Sequence, residues 1–219
     1  IVIAFLTALS TGVTVLSSHS FGAKALKSAQ RYAEVSFFFN FLIAIPFFLI
    51  LFLFASTLLR WMGTSEQINE YGTLFLKSLS FSVLFLGVTL SITAIMMGAG
   101  KTSYLMIAAI ISTVTNIFFD WVLIYGKLGF PEMSIEGAGI ATSIANFSGM
   151  IYLIIALIST KGLPFKPTLN GILNPRWKIQ KRSVRVGLPF GLEAIFWSFG
   201  QIIMVRMVNG VDEFAAGLY

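Results

Sequence analysis

VSFFFNFLIAIPFFLILFLF, residues 35–54, runs for twenty positions without a charged side chain. At about 1.5 Å of rise per residue, a helix over this stretch alone crosses the roughly 30 Å hydrocarbon core of a bilayer. The full segment extends over 33–59, and the same ruler finds five more: 1–18, 72–99, 104–126, 137–158 and 186–208. The 72–99 segment has room to start as early as Glu66. The sequence therefore predicts an all-α, polytopic transmembrane bundle of six spans. Composition agrees. Of 219 residues 57% are hydrophobic and only 11% charged, and the mean hydropathy is +0.87. Polar surface on that scale cannot coat a soluble globule, so the expected solvent is lipid.

Several classes fall away at once. There is no cysteine and only one histidine, which removes disulfide frameworks, thiolate metal sites and histidine-rich metal sites. The net charge of +6 does not mark a nucleic-acid partner, because the basic residues gather between apolar runs instead of on one soluble face. The 22 phenylalanines are lipid-facing bulk, not a base-stacking platform. Gly100-Lys101-Thr102 is reminiscent of a phosphate-binding loop, but Ile95 occupies the position where that motif needs its first glycine. No nucleophile, base and orienting group fall together, so no catalytic residues and no enzyme are expected.

The linkers orient the spans. Lys24, Lys27 and Arg31 follow the first span with no acid before Glu34. Lys161, Lys166, Arg176, Lys178, Lys181, Arg182 and Arg185 separate the fifth from the sixth with no acid at all. By the positive-inside rule both linkers are cytoplasmic, and Lys101 shares their side. Arg60, Glu66 and Glu70, then Lys127, Glu132 and Glu136, and finally Asp212 and Glu213, fall outside. Ser134 is thus expected outside and Ser183 inside. The 159–185 linker carries Pro164, Pro167 and Pro175 and reads as a basic connector between two bundles. The division is 1–158, an N-terminal lobe; 159–185, the connector; and 186–219, the first helix of a second lobe. The chain opens at Ile1 inside an apolar run and closes in the apolar stretch Phe214–Tyr219, so continuation is expected at both ends, with one helix before the first span.

Within the spans, lipid would reject isolated polar side chains, and the clues lie there. Ser112, Asn116 and Asp120 recur at i, i+4, i+8 and share one helical face. Asp120 lies six residues before Gly126, roughly 9 Å below the outer end of its span, and an ionisable group at that depth costs up to about 2.5–3.5 kcal/mol on insertion scales, which makes it the leading functional candidate. Gly137, Ala141, Ala145 and Gly149 form a small-residue stripe in the fifth span, with Thr142 and Asn146 beside it. Thr7, Ser10, Thr11, Thr14, Ser17 and Ser18 give the first span a hydroxyl-rich face, suited equally to a hydrated cavity and to interhelical bonding. Glu34 reads as a solvated acid at a helix start. Lys77 and Arg206 can snorkel, His19 is interfacial, and Glu193 is a secondary candidate for ion coupling or the substrate pathway.

Taken together, Asn116-Ile117-Phe118-Phe119-Asp120, Ile124-Tyr125-Gly126, Gly129-Phe130-Pro131 and Glu136-Gly137-Ala138-Gly139-Ile140-Ala141-Thr142 resemble the fifth helix, outer loop and sixth helix of the multidrug and toxic compound extrusion (MATE) family. Phe21-Gly22-Ala23-Lys24, Met97-Gly98-Ala99-Gly100-Lys101-Thr102 and Val186-Gly187-Leu188-Pro189 resemble the end of its second helix, its fourth-to-fifth turn and the start of its seventh helix. The resemblance implies a partial two-lobe fold holding helices two to seven. It also implies export of amphipathic or cationic compounds in exchange for H⁺ or Na⁺ by alternating access. Asp120 and Asn116 match the family's cation-coupling positions and Thr142 a third, so a transient Na⁺ at Asp120 is the only metal expected. Asn146 and Ser112 stand nearby as secondary residues. His19 stands where the family usually has glutamine, and Glu193 aligns poorly with its seventh-helix acid. No cofactor is implied. The expected surroundings are a plasma membrane, the inner one in a Gram-negative cell, with the complete protein monomeric and bound to no nucleic acid. Within the same superfamily a lipid-linked oligosaccharide flippase is the alternative, with Lys77 and Arg206 as its only cationic candidates. A non-transporting membrane scaffold is the other.

Overall fold

The computed structural model describes residues 2–61, 63–160, 163 and 166–209. Over these the chain forms helices α1 (Val2–Gly22), α2 (Leu26–Leu53), α3 (Ala55–Trp61), α4 (Glu66–Gly98), α5 (Ser103–Ile124), α6 (Ser134–Ser159), α7 (Leu169–Leu173) and α8 (Trp177–Asn209). No strand occurs among the described residues. Helices α2, α4, α5 and α6 are long and apolar enough to cross a membrane. The expected first and sixth spans fall on α1 and α8, parts of which have side chains outside the described set. Asp212, Glu213, Lys161, Pro164 and the stretch 214–219 also lie outside the described residues, as does the side chain of Arg206.

Helix ends follow local chemistry. The α4–α5 turn closes with Gly100 at a φ of 68°. There Lys101 N–H donates to Met96 O (2.8 Å) and Gly100 N–H to Met97 O (3.0 Å). That paired pattern is a Schellman cap, and it accommodates glycine because the left-handed backbone penalises a Cβ. The phosphate-loop look-alike is therefore a helix terminator. The expected 33–59 span is two helices, α2 and α3, with a break at Phe54.

The helices pack in a chain of neighbours. α5 lies on α6, α6 on α4, and α4 on α2, while α1 touches α2, α4 and α8. The main core gathers Ala29 and Ala33 of α2, Ile92, Ile95 and Met96 of α4, Ala108 of α5 and Leu153, Ala156 and Leu157 of α6. Outside it, Phe41, Leu42 and Leu49 on α2, Val114 and Ile117 on α5 and Ile155 and Ile158 on α6 stand exposed. Such continuous apolar bands would be an aggregation hazard in water and are the normal outer surface of a bundle in lipid.

One boundary differs from expectation. The connector was read as 159–185, yet α8 begins at Trp177. Gln180, Ser183 and Gly187 are buried while Lys178, Lys181, Arg182 and Arg185 are exposed. This is an amphipathic helical start with its basic face outward, and counting charge concealed its period. Ser183 is accordingly a fully buried helical residue, not part of a loop. Its carbonyl, with Gly187 N at 2.8 Å, occupies the space where a Cβ on Gly12 would stand. The α1 and α8 backbones cross there with nothing between them.

Candidate functional site

The site grows from the α5–α6 pair. The stripe on α6 is buried at Gly137, Ala141, Ala145 and Gly149. A Cβ on Gly137 would lie 2.9 Å from Leu123 C, and one on Gly149 would lie 3.4 Å from Ser112 Cβ. These contacts fix an antiparallel register that sets Ala141 level with Asp120 and Ala145 level with Asn116. The smallest residues of α6 thus stand opposite the polar face of α5, so the backbones approach closely where the polar groups are. Ser148 reinforces the pairing, its hydroxyl 3.3 Å from that of Thr115.

Asn116 Nδ2 and Asp120 Oδ1 are both buried, and neither has a hydrogen-bond partner among the described residues. Leaving such a group unpaired costs about 1–3 kcal/mol, more if charged; Ser17 Oγ and Gln180 Oε1 share the condition, and α5 differs in carrying two such atoms on adjacent turns of one helix. Thr142, next to Ala141, donates its hydroxyl to Ala138 O at 2.9 Å. Its oxygen lone pairs stay available to a cation. Asn116 and Asp120 thus share one face of α5 and Thr142 stands on the facing helix α6, while the unpartnered atom of Asn116 is its N–H donor, not a cation ligand.

Ser112 and Asn146 come together in the structure. They line a cavity of about 200 Å³ between α4, α5 and α6, joined there by Thr89 and Thr93. The two threonines were not singled out in the sequence, although their four-residue spacing on one face was a usable signal. Glu193 is not brought to this place: it is exposed on α8, and α8 packs only on α1 and α2 among the described residues. The hydroxyl face of α1 divides. Thr11 and Thr14 donate to carbonyls of their own helix at 2.8 Å. Ser10 and Ser17 are buried, at 5% and 0% exposure; Ser10 accepts from Asn40 Nδ2 of α2 at 2.9 Å, an interhelical bond, whereas Ser17 Oγ has no hydrogen-bond partner among the described residues. His19 and Lys77 are exposed, as expected.

Two polar residues departed from expectation. Glu34 is not solvated: it is 7% exposed and bonded to Thr168 of the connector. Asn40, read only as part of an apolar run, is 1% exposed and sits among the hydroxyls of Ser10, Ser36 and Ser91 at 2.9, 3.1 and 2.9 Å.

Among the described residues the chain is an all-helical bundle of membrane-spanning length with an unpartnered carboxyl oxygen and amide nitrogen on one face of α5, which defines its class as a polytopic membrane protein. The MatE family model matches residues 1–122, more than half of the chain, and the chain belongs to that family. It is similar to the "Probable multidrug resistance protein YoeA" of Bacillus subtilis, 26% identical over 100% of this chain and 48% of the relative. It is also similar to the "Probable multidrug resistance protein NorM" of Thermotoga maritima, 26% identical over 96% of this chain and 45% of the relative. Among solved structures, an inward-facing multidrug resistance MATE family transporter of the MOP superfamily superposes with a TM-score of 0.87. The identity is 20%, over 98% of this chain and 48% of that one. The chain spans about half the length of the relatives it matches.

Proposed function

We propose that this chain forms part of an antiporter that exports amphipathic or cationic compounds in exchange for H⁺ or Na⁺ by alternating access, with Asp120 as the coupling carboxylate. In this reading Asn116 and Thr142 help hold the ion, Ser112 and Asn146 line the adjoining cavity, and α8 is the first helix of a second lobe. The protein resides as a monomer in the plasma membrane, or the inner membrane of a Gram-negative cell. The observation that carries the proposal is the buried, unpartnered pair Asn116 Nδ2 and Asp120 Oδ1 on adjacent turns of a spanning helix. The relatives named as probable multidrug resistance proteins support a role in resistance to drugs.

Ion-occupied and ion-free states differ by about one charge inside a low-dielectric bundle. A ligand biases a two-state equilibrium only through such differential free energy, and a single charge in that setting supplies it.

The test is Asp120→Asn in the complete protein. It keeps the side-chain shape and removes the charge change, so normal insertion with loss of gradient-driven efflux is expected. Efflux at the wild-type rate would reduce Asp120 to a packing residue.

A further inference from the structure

Between α6 and α8 the chain runs from Thr160 to Arg176 and includes the five-residue helix α7. A helix that short does not hold itself together in water. What holds it is on α2. Glu34 Oε1 accepts from Thr168 N at 3.0 Å and from Thr168 Oγ1 at 2.8 Å, and Gln30 Nε2 steadies the same oxygen at 3.0 Å. Thr168 is the N-cap of α7, and its hydroxyl oxygen in turn accepts from Gly171 N at 3.1 Å. One buried carboxylate thus anchors the residue that starts the helix. Gly171 completes the fit: a Cβ there would fall inside the Glu34 carboxyl group.

We infer that Glu34 is a latch that pins α7 to α2 and so shortens the working tether between α6 and α8 to Asn174, Pro175 and Arg176. Fully extended, residues 160–176 would reach about 56 Å at ~3.3 Å per residue, whereas three residues reach about 10 Å. With the latch closed, the connector is no slack cord. Helix α8 is hinged within three residues of a point fixed on α2, and any movement of α8 against the earlier helices pivots at Pro175. The donors to Glu34 are neutral, and the two guanidinium-bearing residues nearby, Arg31 and Arg176, line the same cavity of about 210 Å³ with Asn170 and Asn174. The latch therefore works by hydrogen-bond geometry, three neutral donors converging on one carboxyl oxygen. This inference does not depend on the transport reading, because it concerns only where the connector is fixed.

Amide hydrogen exchange of the full chain in detergent micelles tests it, since Thr168 N–H is itself one of the latch donors. Glu34→Ala is expected to speed exchange across residues 168–172 by about tenfold or more while leaving α4 and α6 unchanged. Glu34→Gln, which keeps an acceptor oxygen at the same reach, is expected to retain part of the protection. Gly171→Ala supplies a sign reversal. With Glu34 present its methyl collides with the carboxyl group and speeds exchange in α7. In the Glu34→Ala background the same methyl favours helix over glycine and slows it. Wild-type protection in Glu34→Ala, or an equal effect of Gly171→Ala in both backgrounds, would overturn the latch.

Discussion

Asn40 of α2 reaches Ser91 of α4 across the bundle, amide nitrogen to hydroxyl at 2.9 Å, and the same nitrogen lies 2.9 Å from Ser10 of α1. Three helices meet at one amide, which is buried to 1% exposure. Interhelical bonds in membrane proteins are individually modest, averaging about 0.6 kcal/mol and reaching about 1.7. Asn40→Ala removes two of them and leaves the hydroxyls to find other partners, so a loss of about 1–3 kcal/mol is expected. Thermal unfolding in detergent should show a lowered midpoint. An unchanged midpoint would mean that the hydroxyls re-pair at no cost.

A second expectation separates the two coupling ions. Na⁺ would use the amide oxygen of Asn116 as a ligand, whereas a proton is held by a covalent bond to the carboxyl group of Asp120, to which Asn116 adds only a hydrogen bond. In the complete protein, Asn116→Leu should cut Na⁺-driven efflux by about tenfold or more, the scale on which one lost ligand weakens an ion site. Proton-driven efflux should largely survive. Equal loss under both gradients would assign Asn116 to packing.

The α5–α6 register makes Gly149 intolerant of bulk. A leucine there must displace Ser112 Cβ and Ala108 O, which lie 3.4 and 3.5 Å from the position of a Cβ. Overpacking costs about 1–3 kcal/mol, and the shift would carry Asn116 away from Ala145. Gly149→Leu should lower both thermal stability and any ion-dependent stabilisation, whereas Gly149→Ala should be close to neutral. Tolerance of leucine at full stability would contradict the register.

Orientation is tested with single cysteines, for which the cysteine-free chain is a ready background. Ser183 is buried and would report nothing, so Lys178, exposed at the start of α8, takes its place. Ser134→Cys should react with an impermeant maleimide in intact cells, and Lys178→Cys only after permeabilisation. Reaction of both in intact cells would sink the topology.

The general fold was legible because lipid imposes one simple demand, a long apolar helix, and four stretches announce it without ambiguity. Asp120 and Asn116 drew notice for the complementary reason: polarity inside an apolar run is costly and stands out. What stayed hidden was pairing over distance. Nothing local to Glu34 signals a bond to Thr168, 134 residues later, and an acid at the end of a basic linker reads as solvated. Asn40 escaped because a single amide among phenylalanines carries no periodic signature. At the start of α8 the basic residues dominated the reading, although Gln180, Ser183 and Gly187 already kept a helical interval.

The bare crossing of α1 and α8 at Gly12 and Gly187 has a mechanical meaning. It divides α8 into unequal arms, about 15 Å back to Trp177 and about 33 Å forward to Asn209 at 1.5 Å per residue. Ser183 O and Gly187 N fill the place of the Cβ that Gly12 lacks, so the two helices meet at backbone distance and any side chain at Gly12 would wedge them apart. Two residues beyond the crossing Pro189 interrupts the hydrogen-bond ladder of α8, so the forward arm is free to lean without dragging the near arm with it.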